Sequence, residues 1–243
     1  MTTTRAFSFF ATAAILCGFT GVGLQTPSPP PAAGAQASSP PIAAGARFLD
    51  ERTIEGERNF LTGWEPRTEG GGVRAVVEIP AGRLDKWEVK NEDGLLHWDI
   101  KDGNPRVVKY LGYPTNYGMV PRTVLSKERG GDGDPTDILV LGASLPRGAV
   151  VETRVVGLIR LTDSGEKDDK ILAVVKGSPF EAVQDLADLD ARFPGVTQIL
   201  ETWFANYKGP GKMVPGGFAG RDAALAFLDQ TIADYAAAHA AAR

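Results

Sequence analysis

From Val73 to Val175 the chain is broken into short Val- and Ile-rich runs bounded by Gly, Pro, Asn and Asp, a punctuation that predicts β-strands. The runs are Val73–Ile79, Lys86–Lys90, Leu95–Ile100, Arg106–Leu111, Ile138–Leu141, Val150–Leu161 and Lys170–Val175. Asp93-Gly94 and Asp102-Gly103 read as hairpin turns, because each pair tolerates positive φ. So many short strands at close spacing predict a closed or partly closed antiparallel barrel.

After residue 177 the period changes. Ser178-Pro179-Phe180-Glu181 has the form of a capping box with Pro at the first helical position, so a helix is predicted to start there. Val196, Ile199, Leu200, Trp203, Phe204 and Tyr207 form one apolar stripe at helical spacing. Leu225, Leu228, Ile232 and Tyr235 form a second in an Ala-rich terminal helix. Both helices are expected on the outer wall of the barrel.

The N-terminal quarter has a different composition. No acidic residue occurs before Asp50. Residues 1–24 combine one positive charge, Arg5, with an apolar run and read as an export segment; residues 25–49 are rich in Pro, Ala, Gly and Ser and read as a disordered tether. The expectation is a single catalytic domain over residues 50–243, exported to the periplasm or beyond and held by the leader if that stays uncleaved.

Composition narrows the chemistry. Values of 43% hydrophobic and 23% charged residues sit near the globular average, so neither intrinsic disorder nor a multispan membrane protein is the leading reading. A formal net charge of -4 argues against binding nucleic acid through a broad basic surface. One cysteine, Cys17, excludes an intramolecular disulfide, and with only two histidines, His97 and His239, any metal must be held by oxygen, which suits Mg²⁺, Mn²⁺ or Ca²⁺.

Such oxygen ligands are concentrated in Gly131-Asp132-Gly133-Asp134-Pro135-Thr136-Asp137, immediately before the apolar run Ile138–Leu141. In an extended loop Asp132 and Asp134 project to one side, roughly 6.5 Å apart, and repel by roughly 2–3 kcal/mol at an effective dielectric near 20. A divalent cation would turn that repulsion into a site; taken alone, the loop reads equally well as a solvated Asp/Gly turn. An EF-hand is excluded, because Ala143 stands where the bidentate Glu is required.

A second acidic group runs from Asp163 through Asp168 to Lys170, and by itself suits a solvated hairpin tip. In Lys86-Trp87-Glu88 the two charges share one strand face while Trp87 faces the other way. Arg106, Tyr113, Tyr117, Tyr207 and Lys208 are donors that could meet phosphate oxygens or simply pack. Gly209-Pro210-Gly211-Lys212 fails as a phosphate-binding loop, since Met213 follows and the first Gly is wrongly spaced. No Gly-x-Ser-x-Gly elbow occurs.

Five blocks occur in order: Glu78-Ile79-Pro80-Ala81, Lys86-Trp87-Glu88, Tyr113-Pro114-Thr115-Asn116-Tyr117-Gly118, Asp132 through Asp137, and Asp163 with Asp168-Asp169-Lys170. Together they resemble the soluble family I inorganic pyrophosphatases over roughly residues 73–212, with Asp-Gly-Asp-Pro-x-Asp the most specific piece. The resemblance implies an α+β, mainly β fold: an OB-like five-stranded antiparallel barrel with flanking C-terminal helices. It also implies several Mg²⁺ ions (Mn²⁺ or another divalent ion as substitutes), a homo-oligomer, and hydrolysis of inorganic diphosphate by in-line attack of a metal-bridged hydroxide.

Carried onto this chain, the resemblance makes Asp132, Asp137 and Asp168 direct metal ligands, joined by Asp163, and Asp134 the proton acceptor. Lys86, Arg106, Tyr117, Lys170, Tyr207 and Lys208 would hold phosphate oxygens, supported by Glu78, Glu88 and Tyr113. Lys109 rivals Arg106, and Trp87 stands where Tyr or an aliphatic residue is commoner. The leader lies outside the family pattern. A hydrolase of another polyphosphate and a non-catalytic cation-binding barrel are the alternatives.

Overall fold

The computed structural model describes residues 41–241. The strands are β1 (Arg47–Asp50), β2 (Thr53–Glu55), β3 (Val73–Ile79), β4 (Trp87–Val89), β5 (Leu96–Trp98), β6 (Ile100–Lys101), β7 (Asn104–Pro105) and β8 (Asn116–Met119). They continue as β9 (Asp137–Leu141), β10 (Val150–Asp163), β11 (Glu166–Lys167), β12 (Lys170–Val175) and β13 (Met213–Gly220). The helices are α1 (Leu186–Arg192), α2 (Val196–Asn206) and α3 (Arg221–Ala241).

Five strands close into a ring, β3–β8–β9–β12–β10, with β10 returning to β3. This is the OB-like barrel expected, with one difference of detail. Four pairings are antiparallel, but β9 and β12 run parallel, Ile138 opposite Ile171 and Leu141 opposite Val174. Closure depends on β10, fourteen residues long, which pairs with β3 through Val150–Thr153 and with β12 and β13 farther along. Its register shifts between Val155 and Gly157 and between Ile159 and Leu161, bends that let one strand serve several partners. Gly118 is required where β8 crosses β3: a Cβ there would lie 1.8 Å from the Val76 carbonyl oxygen.

Both faces of the β9–β12 pair are buried, which is why their sequences are continuous apolar runs. Leu139 and Leu172 pack with Leu200, Trp203 and Phe204 of α2, whereas Ile138 and Ile171 share a cluster with Ala224 and Leu228 of α3. A second sheet, β1–β2–β5–β4, buries Ile54, Trp87 and Leu96 with Val76 and Met119 of the barrel. The Asp102-Gly103 turn closes the β6–β7 hairpin, both residues at positive φ (52° and 76°).

Several expectations are corrected. No helix begins at Ser178. Its hydroxyl accepts from the Phe180 N–H (3.2 Å) and the Glu181 carboxylate from the Gly177 N–H (2.9 Å), so the capping chemistry closes a turn. The chain then buries Val183, and α1 starts at Leu186 with Asp185 as its cap, accepting from the Asp188 N–H at 2.8 Å. Arg106–Leu111 is not a strand, because Pro105 ends β7 and the segment runs beside Leu84–Lys86 through the single Asp85–Val107 bridge. Strands β8 and β13 escaped prediction because Asn, Gly and Pro dominate them.

The end of the expected tether is folded too. Ile42 bridges to Arg147, and β1 pairs with β2, inside the stretch read as disordered up to residue 49. The export segment, residues 1–24, and the tether up to residue 40 lie outside the described residues. Among the described residues no helix is long and apolar enough to cross a membrane.

Candidate active site

The acidic residues reach one end of the barrel because each sits at a strand end or a tight turn. The Asp132–Asp137 loop is pinned by its own backbone: the Leu125 N–H donates to the Asp134 carbonyl and the Gly133 N–H to the Leu125 carbonyl, both at 2.8 Å. Asp132 accepts from the Asp134 N–H at 2.9 Å, an Asx turn with Gly133 at φ 93°. Asp137 is the first residue of β9, Asp163 the last of β10, and Asp168 stands two residues before Lys170, the first of β12.

These five carboxylates line one cleft of about 320 Å³, together with Glu78, Lys86, Glu88, Tyr117, Tyr207 and Lys208. The cleft thus brings together eleven of the fourteen residues singled out in the sequence. Lys170 lies just beneath it, Tyr113 is buried behind it, and Arg106 lines an adjoining groove that shares Asp163, Tyr207 and Lys208 with it.

Lys170 is 1% exposed, and its ammonium lies 2.5 Å from Asp137 Oδ2 and 2.7 Å from Asp168 Oδ1. Tyr117 donates to the same Asp137 oxygen at 2.5 Å. Burial alone would lower the Lys170 pKa, but the two carboxylates outweigh it and hold the ammonium well above its usual range. Burial raises Asp168, with Lys170 opposing and Asp137 reinforcing the rise.

Asp132, Asp137 and Asp168, the direct metal ligands that the resemblance implies, line the cleft together. Among the described residues no three His, Cys, Asp or Glu side chains close to metal-binding geometry. Asp137 and Asp168 close on an ammonium instead, because buried carboxylates need a countercharge and Lys170 is the one their strands deliver. Lys170, expected on phosphate, is here chiefly the partner of two Asp residues.

Asp134 is also a carboxylate held above its ordinary range. Burial raises its pKa, and Asp132 and Asp137 raise it further; Asn91 donates to its Oδ1 at 2.9 Å. Glu78, 4% exposed, is pushed up to about 8 by burial although it accepts from the Val89 N–H at 2.6 Å.

Across the cleft Lys86 pairs with Glu88, and its pKa is lowered to about 8 by burial and by the Arg106 charge. Asp99, which the sequence reading passed over, holds this side together: it lies 3.0 Å from Arg106 Nη1, 4.0 Å from Lys86 Nζ and 3.9 Å from Lys90 Nζ. A lone Asp after Trp98 gives no local signal; only the pairing of β5 with β4, together with the Asp99 N–H donating to the Lys86 carbonyl, sets it beside Lys86. Lys109 lines the same groove as Arg106, and Arg106 is the one of the two whose charge acts on Lys86. At the far rim Lys208 pairs with Asp163, and that ammonium overcomes partial burial to keep Asp163 below its usual range.

Trp203 fixes the aromatic wall. It stacks on Tyr207 (4.4 Å between centroids, 14° between planes), packs on Tyr113 at 4.6 Å and donates its indole N–H to the Leu111 carbonyl at 3.0 Å. Burial raises the pKa of Tyr117 and Tyr207, so both phenols stay protonated donors at neutral pH.

The donor set fits a hard divalent cation. The cleft offers carboxylate and phenol oxygens with no thiol or imidazole, and Asp134, with its carboxylate neighbours, is a group that added positive charge would relieve.

Residues 75–236 match the family model described as inorganic pyrophosphatase. The chain is 33% identical over 169 residues to an inorganic pyrophosphatase of Corynebacterium efficiens, covering 68% of this chain and 99% of that protein. It is 36% identical over 150 residues to one of Drosophila melanogaster, where the match spans 56% of this chain and 44% of the fly protein. Among solved structures, the inorganic pyrophosphatase of Helicobacter pylori superposes with a TM-score of 0.61 at 29% identity, covering 71% of this chain and 98% of that one. An N-terminally truncated vacuolar soluble pyrophosphatase of Trypanosoma cruzi in complex with PPi gives 0.74 over 80% and 90%; at 21% identity it speaks for the fold alone.

Proposed function

This chain belongs to the inorganic pyrophosphatase family, and on that premise we propose that its cleft hydrolyses inorganic diphosphate to two orthophosphates with Mg²⁺ as the metal. The observation that carries the reading is the division of one cleft into an acidic side, Asp132, Asp134, Asp137 and Asp168, and a donor side, Lys86, Tyr117, Tyr207 and Lys208, with Arg106 beside it. Neither protein nor substrate supplies net positive charge, so the acidic side needs cations to meet the anion. Bound Mg²⁺ would neutralise phosphate oxygens and make water acidic enough to react near neutral pH, with Asp132, Asp137, Asp163 and Asp168 as its holders.

The chain's own groups do the rest. Asp134, raised by burial and by its carboxylate neighbours, takes the proton of the attacking water. Lys86, Arg106, Lys208 and the two phenols hold phosphate oxygens and meet the charge that grows on the departing phosphate. Lys170 spans Asp137 and Asp168 and sets their separation. Glu78 fixes the end of β4 through Val89, and Glu88 orients Lys86. Tyr113 braces Tyr117 and Tyr207 from behind.

Export through residues 1–24 and assembly into a homo-oligomer complete the proposal; fractionation of cells making the tagged full chain, and light scattering, test them. The central test is phosphate release from diphosphate by the full chain with and without Mg²⁺. Mg²⁺-dependent release is expected, and metal binding with no release would overturn the reading.

A further inference from the structure

Arg147 is 2% exposed and takes no part in the chemistry described so far. It lies between β9 and β10, in a turn fastened to β3 by the Gly148 N–H, which donates to the Val77 carbonyl at 2.7 Å. Its backbone is paired as well: the Arg147 N–H donates to the Pro41 carbonyl at 3.0 Å, and its carbonyl accepts from the Ala43 N–H at 2.9 Å. The guanidinium makes three contacts. Nη2 lies 2.7 Å from Asp85 Oδ2, Nε donates to the Glu78 carbonyl at 2.9 Å, and the carbon between them sits 4.5 Å from the Trp87 ring centroid. Trp87 closes the set by donating its indole N–H to the same Asp85 oxygen at 3.1 Å. Burial would raise the Asp85 carboxyl, but Arg147 and Arg83 outweigh it and hold it below its ordinary value.

We infer that Arg147 is a positioning residue for diphosphate hydrolysis: it clamps the rear of residues 85–88 to β3 and so fixes where Lys86 stands in the cleft. The inference rests on the diphosphatase reading and adds to it a group that never touches substrate. Side chains alternate along an extended segment, so Asp85 and Trp87 face Arg147 while Lys86 and Glu88 face the cleft. Lys86 is thus held from both of its neighbours in sequence. Contacts in three directions call for the planar fork of a guanidinium; a single ammonium could keep Asp85 but not the Glu78 carbonyl and the Trp87 face together. Stability alone does not call for this pair, since well-packed apolar side chains often serve a fold as well as a buried ion pair. Placement does, because a shift of about 1 Å in a group that holds substrate can cost about 10²-fold in rate.

The test measures kcat/KM for diphosphate at saturating Mg²⁺ in the full chain and in Asp85→Asn/Arg147→Met, which removes both charges and strands neither. The same pair of changes is then made in a Lys86→Met background. A loss of about tenfold is expected in the first setting and of less than about twofold in the second, because a residue acting through Lys86 has nothing left to position once Lys86 is gone. Arg147→Lys should lose about threefold, as it keeps the charge without the fork. The Mg²⁺ needed for half-maximal rate should stay unchanged, since Asp132, Asp137, Asp163 and Asp168 stand on other elements. Equal losses in both backgrounds, or no loss in either, would overturn the inference and spare the parent reading. If the double variant fails to fold, Arg147→Lys in the two backgrounds decides on the same criterion. A full chain inactive on diphosphate would overturn both readings together.

Discussion

Lys170 Nζ lies 2.5 Å from Asp137 Oδ2, on the neighbouring strand of the one parallel pair in the barrel. The register sets Ile171 beside Ile138, so the residues that open the two strands, Lys170 and Asp137, emerge together at the same barrel end. A parallel pairing is what allows two strand starts to meet. Lys170→Met should therefore leave Asp137 and Asp168 buried without their countercharge and cost about 3–5 kcal/mol at neutral pH. Urea denaturation measures the loss, which should narrow on acidification as the carboxylates take up protons.

Asp134→Asn removes the proton acceptor and leaves the loop's backbone hydrogen bonds in place. Turnover of diphosphate should fall by about 10²–10⁴-fold. The melting temperature should hold or rise, because a carboxylate raised by burial and further by Asp132 and Asp137 is unfavourable when ionised. Near-normal phosphate release, or a collapsed melting transition, would contradict the assignment.

Glu78 gives the fold a particular pH dependence. Its pKa is about 8 in the folded chain against 4.5 for an ordinary Glu, so between those values the folded state holds the extra proton. Stability contributed by Glu78 is then complete below pH 4.5 and is lost on the way up to about pH 8, at no more than about 1.4 kcal/mol per pH unit. Lys86, lowered from 10.5 to about 8, acts in the other window: between those values stability rises with pH. Glu78→Gln, whose amide oxygen can still accept from Val89, should flatten the first slope in denaturant titrations across pH 4.5–8. An unchanged slope would mean that Glu78 titrates normally.

Mg²⁺ should raise the melting temperature of the full chain, since a ligand at 100 times its Kd adds about 2.7 kcal/mol. Asp132→Ala should shrink that rise and increase the Mg²⁺ needed for half-maximal phosphate release. An identical metal dependence in the variant would remove Asp132 from the holders.

Legibility in the sequence followed the physics of each element. Val73–Ile79 and Lys170–Val175 could be read to the residue because buried β-branched runs flanked by turn residues have one reading. Asn116–Met119 could not, although it carries Tyr117, since its Gly answers a close approach of Val76 from another strand. The acidic loop was readable because its carboxylates are adjacent in the chain. The Asp99 hub and the Lys170 bridge were not, because each joins groups that only strand pairing brings together. The cation pattern near 101–109 also passed unread, as a bent hairpin gathers it into one wall.

Ring closure through β10 has an energetic corollary. The acidic side chains are rooted in strand ends and pinned turns of a sheet with no free edge between β3 and β10, so their mutual repulsion is borne by the interior packing once, at folding. Catalytic readiness and thermodynamic robustness are consequently opposed at this end of the molecule. Laboratory selection for heat tolerance alone would be drawn towards neutral residues in the cleft, and the sturdier proteins it recovered would be slower ones.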